Sequence, residues 1–399
     1  MLEAPRGAPA TSDIDPFSDA YLGDPYPFHQ QLRDAGPVVW LAQWQVFAVA
    51  RAAPVKAVLG DWETFCSGAG VGLANFKVET PWRTPSLLLE TDPPDHTRNR
   101  AVIGRALSPA SLRGLKSSFE SAAEELVAAL PDGADFDAVP LLAEAFPLKV
   151  FADAVGVPAE GRRHLLAYGN MVFNAMGPRN ERFERAMAHA AQVVPWIERA
   201  CQRDVLTPSG LGAQIYAAAD EGAVSAREAA LIVRSFLSAG VDTTAAGIAN
   251  ALYCFARNPD QWARVRADPA LARAAFEEVL RFESPFQAFF RTTTREVELE
   301  GTVLPAEAKV LVLIGAANRD PRQWEDPDRF DVKRKTLGHV GFGFGIHGCV
   351  GQMIARMEVE AVLAALARRF ERIALAGPPT ALIHNTLRSF VRLPLRLGS

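Results

Sequence analysis

Apolar residues in this chain recur mostly at the spacing of α-helices, and short apolar runs separate some of the helical stretches. From about residue 108 to residue 201 the spacing is mostly helical and is broken at glycines and prolines. Two shorter runs, Val38–Leu41 and Val46–Ala50, are apolar and have turn residues nearby, which predicts strands. The pattern therefore predicts a mainly α protein with small β-sheets, an α+β fold class.

The chain shows no internal boundary between domains. No repeat with a period of about 20–50 residues and no low-complexity linker divides it. We therefore expect a single domain over residues 13–399. The first residues are rich in alanine, proline and glycine, which predicts a flexible N-terminal tail over residues 1–12.

The clearest predicted element is a long helix over about 226–257. Ser225 and Glu228 have the spacing of a capping box at its start, and Asn258-Pro259 ends it because a proline disfavours helical conformation in the residue before it. Few charges interrupt the second half, which predicts a buried central helix. In its middle the string A-G-V-D-T-T, Ala239–Thr244, is poor helix-forming sequence.

Asp242 and Thr243 lie in this polar insertion, and two interpretations are open. They satisfy a kink in the helix, since threonine hydroxyls bond to carbonyls one turn back and bend helices. Alternatively, they hold water and protons in a groove against a ligand.

Composition and charge exclude several classes. The 399 residues are 49% hydrophobic and 22% charged, which is ordinary globular usage, and the net charge of −4 offers no basic excess for nucleic acid or anionic lipid. The chain contains no run of about 18 apolar residues, so the sequence predicts no membrane span. The start of the chain does not resemble a secretory signal, and the cysteines are far apart, so we expect a cytoplasmic protein. The four cysteines are Cys66, Cys201, Cys254 and Cys349.

A glycine-rich string, G-F-G-F-G-I-H-G-C-V-G over Gly341–Gly351, precedes helical sequence over about 350–370. Part of it, G-F-G-I-H-G, also matches the G-x-G-x-x-G fingerprint of dinucleotide-binding proteins such as NAD-dependent dehydrogenases. That fingerprint requires a preceding strand, and the preceding K-R-K-T-L-G-H-V is polar. The context therefore disfavours the dehydrogenase interpretation.

Cys349 follows the glycines at the start of the predicted helix. Unpaired backbone N–H groups and the helix dipole stabilise a thiolate there. A single cysteine without partners at zinc spacing is wrong for structural zinc, but it suits the axial ligand of a haem iron. The other three cysteines are interpreted as buried and inert.

Phe342–Gly351, F-G-x-G-x-H-x-C-x-G, resembles the cysteine loop of the cytochrome P450 haem-thiolate monooxygenases. Further strings in family order strengthen the resemblance. They are H-T-R-N-R (96–100), A-G-V-D-T-T (239–244), E-V-L-R (278–281) and W-E-D-P-D-R-F (324–330). Taken singly, Glu278 with Arg281, or His96 with Arg100, would more often be an exposed feature of a helix surface, but the order of the motifs together disfavours that alternative.

The resemblance implies haem b as cofactor, with Cys349 as the ligand of its iron. It also implies that Glu278 and Arg281 form a buried ion pair. Asp242 and Thr243 would be catalytic: Asp242 would gate the supply of protons, and Thr243 would form a hydrogen bond at the oxygen-binding position. The other residues it implies in haem binding are His96, Arg100, Ala239, Arg291, Phe342 and His347.

The resemblance also implies partners. O2 is the oxidant, and two electrons must come from outside because the chain carries no flavin or iron–sulfur motif. We expect a [2Fe-2S] ferredoxin and an NAD(P)H ferredoxin reductase to supply these electrons. We also expect the protein to be a monomer. Arg98, Arg105 and Arg356 are candidates for a basic docking face, against the alternative of an ordinary solvated surface.

A possible anchor for an acid comes from residues near the polar insertion. Ser235 and Ser238 share a helix face with Asp242, and Arg234 is their neighbour. Arg83 and Ser86 lie in W-R-T-P-S, and a buried carboxylate needs such donors. The alternative is that these serines bond only to helix carbonyls and that Arg83 faces solvent.

Four local strings resemble those of bacterial P450s that oxidise para-substituted benzoates, typically demethylating 4-methoxybenzoate. They are R-T-P-S-L-L-L-E-T-D-P-P (83–94), V-R-S-F-L-S-A-G-V-D-T-T (233–244), R-F-E-S-P (281–285) and Q-x-F-F-R-T-T-T-R (287–295). Phe173 and Phe289 match the aromatic wall of their pocket by position, whereas Met176 and Phe286 depart from it, since a phenylalanine and a smaller aliphatic residue are expected there. The resemblance predicts O-demethylation or hydroxylation of a small aromatic acid. The alternatives are a hydroxylase of a neutral terpene or polyketide and a non-catalytic haem-thiolate sensor.

Overall fold

A computed structural model describes residues 7–399 of the chain, and nearly half of these residues are helical. The α-helices are α1 (Asp19–Gly23), α2 (Tyr26–Ala35), α3 (Ala52–Gly60), α4 (Asp95–Ala106), α5 (Pro109–Ala128), α6 (Ala145–Val155), α7 (Arg163–Asn174), α8 (Glu181–Met187), α9 (Ala190–Ala200), α10 (Leu211–Asp220), α11 (Ala226–Gly240), α12 (Asp242–Arg257), α13 (Pro259–Ala267), α14 (Leu271–Phe282), α15 (Ile314–Ala317) and α16 (Gln352–Arg369). A π-helical turn covers Val139–Ala143, and a 3₁₀ turn covers Gly345–His347.

The strands are short and form small sheets, as the sequence predicts. They are β1 (Ala10–Ser12), β2 (Val39–Leu41), β3 (Val46–Val49), β4 (Phe65–Cys66), β5 (Asp135–Asp137), β6 (Ala288–Thr293), β7 (Val297–Leu299), β8 (Thr302–Leu304), β9 (Lys309–Leu313), β10 (Arg372–Leu375), β11 (Thr380–Ala381), β12 (Phe390–Arg392) and β13 (Pro394–Gly398). The largest sheet has the order β1-β2-β3-β9-β6-β4, a second has the order β10-β13-β5, and β7–β8 and β11–β12 are antiparallel pairs.

Both faces of the largest sheet are buried. Phe47 and Val310 belong to one apolar cluster, while Ala48 and Leu311 belong to another on the opposite face, because successive side chains of a strand alternate. The main core is a third cluster, built from the helices between α4 and α16. Arg291 and Phe289 on β6 therefore lie where the sheet meets the helical core.

The predicted long helix is present as two helices, α11 and α12, separated at Val241. The capping box is present: the Glu228 N–H donates to Ser225 Oγ at 3.2 Å, and the Ser225 N–H donates to Glu228 Oε2 at 2.7 Å. The helix breaks because hydroxyls compete for its carbonyls, as Thr243 Oγ1 donates to the Ala239 carbonyl oxygen at 2.7 Å. The single helix predicted over 226–257 is thus corrected to two.

Close packing at Gly240 fixes the position of this break. A Cβ at Gly240 would lie 2.1 Å from Phe151 Cζ, so only glycine admits the ring of Phe151 from α6. The ring of Phe151 also packs edge-on against Phe236 of α11, with centroids 5.0 Å apart. The end of α11 is therefore pinned by an aromatic contact.

The N-terminal segment differs from its prediction. Ala10–Ser12 pairs in parallel with Val39–Leu41, so this part of the expected tail is a strand stabilised by backbone hydrogen bonds. Residues 1–6 of the predicted tail lie outside the described residues. The two predicted strands and the predicted last long helix are confirmed as β2, β3 and α16. Among residues 7–399, no helix is both long and apolar enough to cross a membrane.

Candidate haem and substrate site

Cys349 lies in the glycine-rich loop, three residues before the start of α16 at Gln352. The Cys349 N–H donates to the Phe342 carbonyl oxygen at 2.7 Å, which closes the loop on itself. Gly343 and Gly345 have φ of +74° and +71°, and a Cβ at Gly345 would lie 2.7 Å from the Leu59 carbonyl oxygen. Glycine is required at these turns because other residues rarely adopt this conformation.

The thiol of Cys349 has a mixed electrostatic environment. Burial raises its pKa, while the backbone N–H groups of Gly351 and Gln352 and the guanidinium groups of Arg100 and Arg356 lower it. These four groups are the stabilisation that a thiolate ligand requires. The other three cysteines are buried, and burial raises the pKa of each thiol, as expected for inert cysteines.

His96, Arg100 and His347 meet beside the loop. His96 and Arg100 are one turn apart on α4, the rings of His96 and His347 are 4.3 Å apart, and Arg100 Nη2 donates to the Gly348 carbonyl oxygen. Burial lowers the pKa of His96 to about 4 and also lowers the pKa of His347. His96 Nε2 and His347 Nδ1 are buried and have no hydrogen-bond partner within residues 7–399. The two unpartnered ring nitrogens and the Arg100 guanidinium are groups that can form hydrogen bonds to an anion.

Asp92 orients this cluster, and the sequence analysis missed it. The backbone N–H groups of Ser67 and Gly68 donate to Asp92 at 3.1 Å and 2.7 Å, and His347 Nε2 is 3.3 Å from Asp92 Oδ1. The signal was present in the D-P-P-D-H string, four residues before His96.

Arg291 completes the positive groups from the side of the sheet. It is buried on β6, donates to the Phe290 carbonyl oxygen at 2.8 Å, and has its pKa lowered to about 10 by burial. Asp92 opposes that shift. The four candidate residues for haem carboxylates, His96, Arg100, Arg291 and His347, thus come from three separate segments.

Glu278 and Arg281 form a fully buried ion pair on α14. Arg281 Nε donates to Glu278 Oε2 at 2.7 Å and Nη2 donates to Oε1 at 2.8 Å, with both side chains inaccessible to solvent. Arg281 also donates to the carbonyl oxygens of Asn318 and Pro327, in the segment that leads to the cysteine loop. The exposed-pair alternative is therefore wrong, and the pair ties α14 to that segment.

Asp242 and Thr243 stand at the start of α12. Thr243 donates to the Ala239 carbonyl oxygen, so the kink interpretation applies to it. Asp242 Oδ2 is buried without a partner within the described chain, and burial raises the pKa of Asp242 well above its usual range. Ala239 is exposed on the same turn. The Oδ2 atom of Asp242 thus makes no hydrogen bond in the kink, and burial favours the protonated form of this carboxyl group.

Two of the predicted anchor residues, Arg83 and Ser86, donate hydrogen bonds to a residue that the sequence analysis missed, Glu90. Arg83 Nη1 donates to Glu90 Oε2 at 3.0 Å, and the Ser86 N–H donates to the same oxygen at 2.6 Å. Ser86 Oγ donates to Ser235 Oγ at 2.9 Å, and Arg234 Nη2 donates to the Thr84 carbonyl oxygen at 2.6 Å. Glu90 is the sole acid between residues 80 and 91, which was the available signal.

Only one nitrogen of the Arg83 guanidinium group, Nη1, forms hydrogen bonds with residues 7–399. Its side chain is 11% exposed, which contradicts the solvent-facing alternative. Nη1 holds Glu90 and the Thr84 carbonyl oxygen, whereas Nε is buried without a partner and Nη2 makes no hydrogen bond to residues 7–399. Nε and Nη2 form one edge of the guanidinium, the edge that binds a carboxylate in bidentate fashion.

Ser235 and Ser238 also satisfy the alternative that was left open for them. Ser235 Oγ donates to the Leu231 carbonyl oxygen at 2.8 Å, and Ser238 Oγ donates to the Ser235 carbonyl oxygen at 3.0 Å. Only Ser235 of the two joins the Arg83 cluster through its side chain, because it receives the Ser86 hydroxyl.

An aromatic cluster combines Phe173 of α7 with two residues around β6. The rings of Phe286 and Phe289 are stacked with centroids 4.1 Å apart, and Phe173 meets Phe286 edge-on at 5.6 Å. Met176 is buried next to this cluster, and its carbonyl oxygen accepts the Leu73 N–H at 2.8 Å. Phe286 thus fills space that a smaller residue would leave open.

Comparison with known proteins defines the class. A family model described as cytochrome P450 matches residues 198–397. A relative from Rhodopseudomonas palustris, named cytochrome p450 CYP199A2, is 55% identical over 385 residues, which are 96% of this chain and 93% of the relative. The chain belongs to the cytochrome P450 family. It is therefore a monooxygenase, an oxidoreductase whose cofactor is a haem iron with a cysteine thiolate ligand.

Solved structures agree on the fold. Cytochrome P450 CYP109Q5 from Chondromyces apiculatus superimposes with a TM-score of 0.82 at 31% identity and covers 98% of both chains. Cytochrome P450epoK with bound epothilone B has a TM-score of 0.86 at 25% identity, covering 97% of this chain and all of that chain. The predicted fold class, enzyme class and cofactor are confirmed, and the dehydrogenase and sensor alternatives are set aside.

Proposed function

We propose that this P450 oxidises a small aromatic carboxylic acid at its para substituent, by O-demethylation or hydroxylation, with 4-methoxybenzoate as the model substrate. The observation that carries the proposal is the guanidinium of Arg83, whose Nη1 shares Glu90 with the Ser86 N–H and whose Nε is buried without a partner among residues 7–399. A carboxylate of the substrate would occupy the Nε and Nη2 edge.

The charge of this cluster favours one carboxylate. Arg83 and Arg234 contribute two positive charges, and Glu90 contributes one negative charge within hydrogen-bond distance of Arg83. A single bound carboxylate balances the remaining positive charge. Buried charges are stable only when they are compensated, so a neutral ligand would leave the cluster unbalanced.

The aromatic cluster would receive the ring of the substrate. Phe173, Phe286 and Phe289 offer faces and edges suited to stacking on a benzene ring. Met176 offers a flexible apolar contact at the opposite wall. Phe286 shortens the pocket, so we expect a preference for small para substituents.

The residues around the cysteine loop fit haem. Cys349 would bind the iron, and His96, Arg100, Arg291 and His347 would hold the propionates, since two of their ring nitrogens are buried without partners. Ala239 and Phe342 would flank the porphyrin. Bound haem supplies O2 activation. Asp242 would pass protons inward, and Thr243 would turn its hydroxyl from the Ala239 carbonyl to the proton path.

Electrons are proposed to come from a [2Fe-2S] ferredoxin and its NAD(P)H reductase. The three arginines suggested for docking each pair with a carboxylate of this chain, so a ferredoxin must compete for them. Their partners are Glu228 for Arg98, Glu221 for Arg105 and Glu277 for Arg356. The cytoplasmic location and the monomeric state remain predictions.

A spectroscopic titration tests the substrate class. We expect 4-methoxybenzoate to shift the haem from low to high spin, while 3-methoxybenzoate and neutral 4-methoxytoluene leave the spectrum nearly unchanged. Turnover should then convert the methyl ether, O2, two electrons and two protons into 4-hydroxybenzoate, formaldehyde and water. An equal shift with 4-methoxytoluene would contradict the proposal and favour a P450 for neutral substrates.

A further inference from the structure

The carboxyl group of Asp242 lies against a glycine of the neighbouring helix α7. Gly169 is buried in that helix, and a Cβ placed on it would lie 1.8 Å from Asp242 Oδ2 and 2.6 Å from Asp242 Cγ. A Cβ atom does not approach other heavy atoms more closely than 3.0 Å. Only glycine at position 169 therefore leaves room for this position of the carboxyl.

No cation holds the Asp242 carboxyl within residues 7–399. Its Oδ2 has no hydrogen-bond partner there, and the one charged side chain that affects its pKa is an acid, Glu144, which raises it further. An ion pair would fix the carboxyl by attraction. Here the position of the Asp242 carboxyl group depends instead on the space that the absent side chain of Gly169 leaves on α7.

Helix α7 is anchored by its own packing. Leu165, Met171 and Val172 are buried on it, and it packs against α8, α9 and α11. A methyl group on residue 169 would therefore be accommodated by rotation of the Asp242 side chain rather than by movement of the helix.

We propose that Gly169 is a positioning residue for Asp242, and that its missing side chain keeps the carboxyl where it can pass protons toward the oxygen-binding position. The inference rests on the proposed proton role of Asp242. Phe173 lies four residues further along α7 and thus on the same face as Gly169. One face of α7 would therefore contribute Phe173 to the wall around the substrate ring and, through Gly169, would position the Asp242 carboxyl group.

Thermal unfolding of the haem-loaded protein tests the contact in a double-mutant cycle of Gly169→Ala and Asp242→Ala. We expect Gly169→Ala to lower Tm in the parent chain but not in the Asp242→Ala background, where the methyl group fits the vacated space. Gly114→Ala is the matched control: no atom lies within 4 Å of its Cβ position in α5, so it should raise Tm equally in both backgrounds. An equal loss from Gly169→Ala in both backgrounds would overturn the contact.

Turnover tests the positioning role. We expect Gly169→Ala to lower kcat about tenfold with KM unchanged, to increase the solvent deuterium isotope effect, and to yield more peroxide per NADH. A merely structural role would leave the isotope effect where it is. An unchanged isotope effect and an unchanged product yield would overturn the proposal even if the thermal cycle shows coupling.

The two proposals fail separately. If no aromatic acid is oxidised by the parent protein, the substrate proposal is wrong, but the thermal cycle still decides the contact between Gly169 and Asp242. The isotope effect is then measured on NADH consumption with whichever ligand shifts the spin state.

Discussion

Arg83 Nη1 donates a hydrogen bond to Glu90 Oε2 at 3.0 Å, whereas Arg83 Nε is buried and has no hydrogen-bond partner among the described residues. A buried donor of this kind costs about 1–3 kcal/mol while it is unsatisfied, and a ligand that satisfies it recovers that free energy. We therefore expect two separate roles: Glu90 holds the guanidinium in place, and the Nε and Nη2 edge would bind the carboxylate of the proposed substrate.

Replacing Arg83 by lysine should weaken the binding of 4-methoxybenzoate. An ammonium keeps the charge but cannot form two parallel hydrogen bonds, so we expect the Kd from a spin-state titration to rise roughly 10- to 100-fold, or about 1.5–3 kcal/mol. Arg203→Lys is the control, because Arg203 forms an exposed ion pair with Asp220. Equal Kd values for Arg83→Lys and the parent would place the acid elsewhere.

Glu90→Gln should make the stability of the protein depend more strongly on bound ligand. The amide keeps the shape but removes the charge between Arg83 and Arg234, and we expect a loss of about 1–3 kcal/mol in the substrate-free protein. Saturating 4-methoxybenzoate should restore much of that loss, since its carboxylate compensates both guanidinium groups. The measurement is Tm with and without the ligand. A loss that is the same in both conditions would mean that Glu90 only braces the loop.

The fold was predictable because its strongest signals are local. The capping box at Ser225 and the proline at position 259 fixed both ends of the central helical region, and structure and prediction agree there. The string Ala239–Thr244 indicated a kink, but the division into two helices at Val241 was harder to predict because it also involves a distant contact, the ring of Phe151 against Gly240. Long-range packing of this kind leaves no periodic signal in the sequence.

The site was predictable where a motif carries the chemistry and less so where only tertiary contacts do. Cys349 follows from the glycine-rich loop, and Arg83 with Ser86 follows from one short string. Glu90 and Gly169 were missed, since an acid among leucines and a glycine in a helix have no evident role until their partners are known. Their roles come from side chains that are far away in the sequence.

Glu358 should make stability depend on pH. It is fully buried on α16 without a hydrogen-bond partner among residues 7–399, and burial raises its pKa well above the usual range. Thr244 lies beside it but donates its hydroxyl to the Gly240 carbonyl oxygen at 3.0 Å. Burial therefore favours the protonated form of Glu358 in the folded protein, so its contribution to stability is fully present below the unfolded pKa of about 4.3 and is lost as pH rises through the folded pKa.

Glu358→Gln removes this dependence. The amide matches the neutral acid in shape, so we expect little difference in Tm from the parent near pH 5 and a growing advantage for the variant toward pH 8. Glu360→Gln, two residues further along the same helix and partly exposed, is the control and should show no such trend. Parallel Tm curves for Glu358→Gln and the parent would mean that Glu358 is ionised in the folded protein.

Phe286→Val should widen the substrate pocket at a cost in stability. The ring of Phe286 stacks on Phe289 and meets Phe173 edge-on, so its loss leaves a cavity worth about 2–3 kcal/mol. A ligand with a longer para substituent fills that cavity. We therefore expect 4-propoxybenzoate to bind the variant at least tenfold more tightly than it binds the parent, while the affinity for 4-methoxybenzoate falls.

The size dependence separates the role of Phe286 from general loosening. Tm of the variant should rise more with 4-propoxybenzoate than with 4-methoxybenzoate, because only the longer ligand replaces the lost ring contacts. Phe390→Val is the control: Phe390 is also aromatic and is buried, but its ring packs on Tyr253 and not on Phe286, Phe289 or Phe173. It should lower Tm without changing the order of ligand affinities. A change of order in Phe390→Val, or none in Phe286→Val, would mean that pocket length is set by other residues.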